Sequence, residues 1–138
     1  MTSTAIFFPV FVLVALTLIV LLIVPFKRIR SMRGKQTRPA DFKYGESGNV
    51  PPDVQLPNRN FMNLLETPVL FYVVTVIAYV TQHVDGVLLV LAWLYVSLRV
   101  IHSAIHLTYN HILHRFLVFA SSVVILLLMW GRLALALL

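Results

Sequence analysis

Arg59, Asn63 and Glu66 lie at i, i+4 and i+7 at the head of an otherwise apolar run, Val69 to Val80. On a helix of about 3.6 residues per turn they share one face. A second polar set, Arg99, His102, His106 and Asn110, has the spacing i, i+3, i+7 and i+11, again one face, and Arg115 follows it. Together these residues offer three guanidinium groups, a carboxylate, two imidazoles and amides. Arginine grips carboxylates with two parallel hydrogen bonds. Glu66 can receive an ammonium group, and Asn63 both donates and accepts. The set suits a small, multiply charged ligand, such as a γ-linked peptide with two carboxylates and one amine. If that ligand carried a thiol, an arginine beside its sulfur would favour the reactive thiolate.

The surrounding composition places this chemistry in a membrane. The chain has 138 residues, 59% hydrophobic and 12% charged, with a mean hydropathy of +0.89. Soluble domains are about 45–50% apolar and about 25% charged. The expectation is a single all-α membrane domain covering residues 1–138 and built as a four-transmembrane-helix bundle. The spans are placed at about 5–26, 58–81, 87–109 and 116–137, with one long loop at 27–57. Pro9 falls in the first turns of its span, where proline is tolerated. Asn58 is the expected N-cap of the second span, and Pro68 should bend that span or end its first segment. The first span lacks the basic leader of a signal peptide and is read as permanent.

Charge sets the expected orientation. Seven of the eleven basic residues, Lys27, Arg28, Arg30, Arg33, Lys35, Arg38 and Lys43, fall in one short segment. Beside a span, such a segment reads as a cytoplasmic loop touching anionic lipid rather than as a nucleic-acid patch. Loop 27–57 and the connection at 110–115 are then cytoplasmic, with both termini on the opposite side. The two polar faces end at similar depth on different helices. Neither could face lipid cheaply, so both should point inward or toward a neighbouring subunit.

Packing alone is an alternative for these residues. Polar groups between spans contribute about 0.6–2 kcal/mol each, and Arg59–Glu66 could be a structural ion pair. His102 and His106 have the spacing of a helical zinc pair, with His111 and His114 nearby. The adjacent arginines would repel a cation, so no metal site is expected. The chain has no cysteine, so any thiol must come from the ligand.

Arg59-x-x-x-Asn63-x-x-Glu66, followed closely by Pro68, resembles the second-helix signature of the MAPEG family, the membrane-associated proteins of eicosanoid and glutathione metabolism. Arg99-x-x-His102-x-x-x-His106, then Arg115, is similar to the family's third- and fourth-helix pattern. The resemblance covers essentially the whole chain and is nearest to microsomal glutathione transferase-like members of bacterial type. It implies a homotrimer with glutathione as co-substrate, held between neighbouring subunits near the cytoplasmic face. Arg59, Asn63, Glu66, Arg99 and His102 match positions that bind glutathione. His106, standing where well-studied members carry tyrosine, joins them. Arg115 resembles the arginine placed near the glutathione sulfur, the catalytic position. Phe116 follows it where prostaglandin-synthesising members have serine, which argues against that isomerase chemistry.

The function implied is a glutathione-dependent transferase or peroxidase acting on lipophilic electrophiles or lipid hydroperoxides drawn from the bilayer. In the peroxidase form, His102 or His106 would protonate the leaving oxygen. The alternative is a non-catalytic lipid- or ligand-binding scaffold of the same fold, since the family includes such a member. A small transporter would need paired half-helices, and the sequence has none.

Overall fold

The computed structural model describes residues 3–138. A short 3-10 turn at Ser3–Ile6 leads into α1 (Phe7–Arg33). A second 3-10 turn, Pro39–Phe42, lies in the following loop. Then come α2 (Pro52–Leu65), α3 (Thr67–Val80), α4 (Gly86–Leu107) and α5 (Ile112–Leu137). Four segments are long and apolar enough to cross a membrane, with α2 and α3 forming one of them. The described residues are otherwise turns and loops, without strands.

The helix boundaries differ from expectation in instructive ways. α1 contains Pro25 and does not stop at the first charge but runs seven residues beyond 26, through the basic residues to Arg33. Cations in a last turn interact favourably with the negative end of the helix dipole. The helix then ends on Lys35, which takes a left-handed conformation (φ 56°), while its N–H reaches Met32 O at 3.0 Å and Gln36 N–H reaches Ser31 O at 3.0 Å. At the far side of the loop, α2 begins at Pro52, not Asn58. Proline at the first position suits a helix start because its missing N–H would be unpaired there anyway. Pro57, inside α2, removes only the one bond to Asp53 O. The connecting loop is therefore 34–51, shorter than the predicted 27–57. α5 likewise begins at Ile112, four residues before the predicted 116.

The loop 34–51 is knotted by Asp41. Its carboxylate accepts from Arg38 N–H at 2.8 Å, from Ser47 Oγ at 3.0 Å and from Asn49 Nδ2 at 3.5 Å. Thr37 Oγ1 to Ser31 Oγ (3.0 Å) ties the loop to α1. Lys27–Asp53 (3.8 Å) and Arg28–Glu46 (3.4 Å) add ion pairs.

The second span breaks at Glu66, whose backbone leaves the helical region (φ −85°, ψ −97°). Pro68 supplies the reason. It has no N–H for Leu64 O, and its ring would collide with that carbonyl in a continuous helix. α1 pairs with α2, α4 packs along α5, and α1 and α2 also contact α4. Between the helices lie Leu13, Val20, Phe71, Val74, Ala78, Ala92, Tyr95 and Met129. Ala78 and Ala92, both fully buried, let backbones approach closely, as packing in lipid favours. Phe71 stacks on Tyr95 with centroids 4.8 Å apart. Phe8, Phe11, Leu22 and Leu127 point outward, as lipid-facing side chains must.

At the end opposite the loop, Asp85 caps α4. Its Oδ1 accepts from Leu88 N–H at 2.8 Å, and Arg132 Nε of α5 donates to Oδ2 at 2.9 Å. Arg132 chiefly, with the Leu88 N–H adding to it, holds the Asp85 carboxyl below the ordinary aspartate range.

Two outcomes test this account. In Pro68→Ala, α2 and α3 should join, and amide hydrogen exchange at residues 66–68 should slow. Unchanged exchange there would mean that proline does not cause the break. Asp85→Ala should lower thermal stability in detergent by about 1 kcal/mol, the usual worth of an N-cap. The folded pKa is depressed, so the carboxylate stabilises fully above its unfolded value of about 3.9 and loses that contribution as pH falls through the lower folded value. The gap between wild type and Asp85→Ala should stay constant above about pH 5 and shrink in more acid solution.

Candidate functional site

The kink at Glu66 leaves carbonyl groups of α2 without their usual helical donors. One of them, Asn63 O, accepts from Arg99 Nη2 of α4 at 3.2 Å. The same Nη2 also donates to Asn63 Oδ1. Arg99 is fully buried. Its guanidinium lies 5.7 Å from the Phe119 ring centre of α5. Nε and Nη1 have no partner among the described residues. A buried guanidinium with free donors is an expensive arrangement unless something else completes it.

Two further contacts flank this one. Ser103 Oγ donates to Asn60 Oδ1 at 3.2 Å, and Tyr95 OH donates to Thr67 Oγ1 at 3.4 Å. Positions 60, 63 and 67 thus meet 103, 99 and 95 in antiparallel order. These are three polar rungs at one-turn spacing, the upper one just across the kink. Asn60 and Ser103 are both buried. Neither was anticipated as part of the polar set. The signal was present in the spacing: Asn60 precedes Asn63 by three residues, and Ser103 follows Arg99 by four.

His102 and His106 project from the next strip of α4, buried, with ring centres 5.8 Å apart. His102 lies 5.9 Å from the Phe119 ring. The Nδ1 of each histidine lacks a partner among the described residues. A small cleft of about 250 Å³ opens between Asn63, His102, Arg115, Phe116 and Phe119. Arg115, in the first turn of α5, enters this cleft while its Nη1 donates to Asn110 Oδ1 at 2.6 Å.

Asn110 corrects an expectation. It does not continue the α4 face, because α4 ends at Leu107. Asn110 lies beyond that end in a left-handed conformation (φ 47°), and its N–H closes the helix onto Ile105 O at 2.8 Å. An asparagine tolerates this conformation better than most residues. Its side chain then fixes Arg115. Arg59 and Glu66 stand apart from the buried group. Both are exposed, and Arg59 donates to Gln55 Oε1 at 2.9 Å. No Arg59–Glu66 ion pair forms among the described residues, so the structural pairing considered for them is absent. No group of three His, Asp or Glu side chains converges as a metal site among the described residues.

The structure therefore brings Asn63, Arg99, His102, His106 and Arg115 to one end of the bundle and leaves Arg59 and Glu66 open beside them. A guanidinium lining a cleft, as Arg115 does here, can receive carboxylate or thiolate. No curated protein and no solved structure matches the chain. The model of the MAPEG family matches residues 6–135, a stretch that holds α1 to α5, except the last two residues of α5, and both polar sets. On that match the chain belongs to the MAPEG family, the multi-pass membrane proteins of eicosanoid and glutathione metabolism.

Proposed function

We propose that the protein is a glutathione-dependent membrane enzyme that conjugates lipophilic electrophiles or reduces lipid hydroperoxides. The observation that carries this reading is the buried Arg99 guanidinium, tied to Asn63 through Nη2 and left with two free donors. A ligand carboxylate would complete it. Arg59 and Glu66, exposed beside it, would hold the remaining carboxylate and the amine. Their exposure in the single chain supports a site shared with a neighbouring copy in a homotrimer. The basic segment 27–43 supports a cytoplasmic position for loop 34–51 and for this end of the bundle, with both termini opposite.

The chemistry then follows from Arg115. A free thiol has a pKa of about 8.5, so only a few per cent is thiolate at neutral pH. A guanidinium beside the sulfur stabilises the anion, by about 1.4 kcal/mol for each unit of lowered pKa. Asn110 holds Arg115 in place for that role. In conjugation, the thiolate forms a carbon–sulfur bond while the leaving group departs with its electron pair. In peroxide reduction, the thiolate attacks the outer oxygen, the O–O bond breaks, and the departing alkoxide takes a proton. His102 or His106 would supply that proton. A second glutathione then reduces the sulfenic acid, giving the disulfide and water. The second substrate comes from the bilayer.

Glutathione binding to the purified protein should be measurable by calorimetry and should raise the ultraviolet absorbance of thiolate. Arg115→Ala should retain binding but lose the thiolate signal and turnover. Arg99→Gln should weaken binding by about 2–5 kcal/mol, the range for truncating one partner of a buried charged contact. Binding without any thiolate signal in the wild type would favour a ligand-binding scaffold of the same fold. Absence of binding would overturn the glutathione reading.

A further inference from the structure

At the end of the bundle away from loop 34–51, α4 and α5 part to leave a trough of about 870 Å³. Leu91 of α4 and Leu127 and Leu128 of α5 line its membrane side, and Asp85 and Arg132 its polar side, with Gly131 between them. Gln82 and His83 complete the rim. Gly131 keeps the trough open. A Cβ placed there would meet nothing within 4 Å, so no close helix approach requires the glycine, although glycine costs helix stability relative to alanine.

The depth of the polar side follows from α4. Its 22 residues rise about 33 Å at about 1.5 Å each, close to a hydrocarbon core of about 30 Å. Asp85, the residue before α4, therefore stands at the edge of that core, at the level of lipid headgroups. Leu91 lies six residues further on, about 9 Å deeper, which is more than half of the roughly 15 Å that one leaflet occupies.

Two opposite charges share this edge, and both side chains are partly open, Asp85 at 43% and Arg132 at 44% exposure. Arg132 reaches Asp85 through Nε and Nη2. Its Nη1 makes no hydrogen bond among the described residues, so one edge of the guanidinium is left to receive an anion.

We propose that this trough is a binding site for a single zwitterionic phospholipid. The headgroup phosphate accepts from Arg132 Nη1, the ammonium group lies against the Asp85 carboxylate, and the first part of one acyl chain runs past Gly131 to Leu91, Leu127 and Leu128. Charge complementarity selects the zwitterionic class, because Asp85 and Arg132 sum to zero and each faces a headgroup charge of opposite sign. An anionic headgroup would gain Arg132 but meet the Asp85 carboxylate with no cation of its own. The site lies at the opposite end of the bundle from the Arg99 cleft and rests only on the membrane character of the chain, so it stands or falls independently of glutathione.

The test uses the full chain in lipid nanodiscs of mixed phosphatidylcholine and phosphatidylglycerol at pH 8, where histidine protonation does not enter. One lipid at a time carries a photoactivatable group near the ester end of an acyl chain, and crosslinked peptides are located by mass spectrometry. Labelled phosphatidylcholine should mark residues 87–91 and 127–131 at least threefold more than labelled phosphatidylglycerol. Gly131→Leu, which fills the trough without a clash, should cut that labelling at least threefold and leave labelling of α1 unchanged. Asp85→Asn keeps an N-cap side chain but frees the Arg132 charge, and should reverse the preference toward phosphatidylglycerol. If Asp85→Asn fails to fold, the wild type and Gly131→Leu decide. Equal labelling by both lipids, or labelling indifferent to Gly131→Leu, would overturn the proposal. So would an unlabelled trough, the result expected if a second copy of the chain fills it.

Discussion

A guanidinium enclosed between membrane helices must find its partners within the protein, because lipid offers it no hydrogen bonds. Arg99 is that group here, fully buried on α4 and bonded to the side chain and main chain of Asn63. The second of these bonds depends on a break in the helix. In a straight span Asn63 O would be held by the N–H of residue 67. Pro68 prevents the helix from continuing, so the carbonyl keeps only a long 3.4 Å bond from Glu66 N–H and can also accept from Arg99. A proline five residues downstream of Asn63 thus helps to create an acceptor for an arginine on another helix.

The same contact sets register. With Arg99 against Asn63, the antiparallel run of α2 and α4 brings Ser103 to Asn60 and Tyr95 to Thr67. Sliding either helix by one turn would separate all three pairs and leave Asn60, a fully buried amide, without its contact. Apolar side chains in lipid have little hydrophobic reason to prefer one register over another. Polar rungs supply that preference.

The α4–α5 hairpin is held at both of its ends by a different device. At the loop end, Asn110 in the connection accepts from Arg115. At the other end, Asp85 accepts from Arg132. In each case the acceptor also closes or caps α4: Asn110 through its N–H to Ile105 O, Asp85 through its carboxylate to Leu88 N–H. Helix termination and interhelical contact are achieved by the same residues, which limits how far the hairpin can splay.

Much of this organisation was legible in the amino-acid order. Four apolar stretches, the break near Pro68, and the two polar faces all follow from hydropathy and a period of 3.6 residues. The ends of helices were less legible. Charge seemed to end the first span, yet backbone hydrogen bonding carries α1 on to Arg33, where cations suit its C-terminus. Asn110 matched the periodicity of the α4 face, but a left-handed backbone takes it out of the helix. Spacing showed which residues could share a face. Only the tertiary structure decided which of them became buried. Asn63, Arg99, His102 and His106 turn inward, while Arg59 and Glu66, from the same motif, remain open. Periodicity describes one helix at a time, whereas burial depends on where the neighbouring helix crosses it.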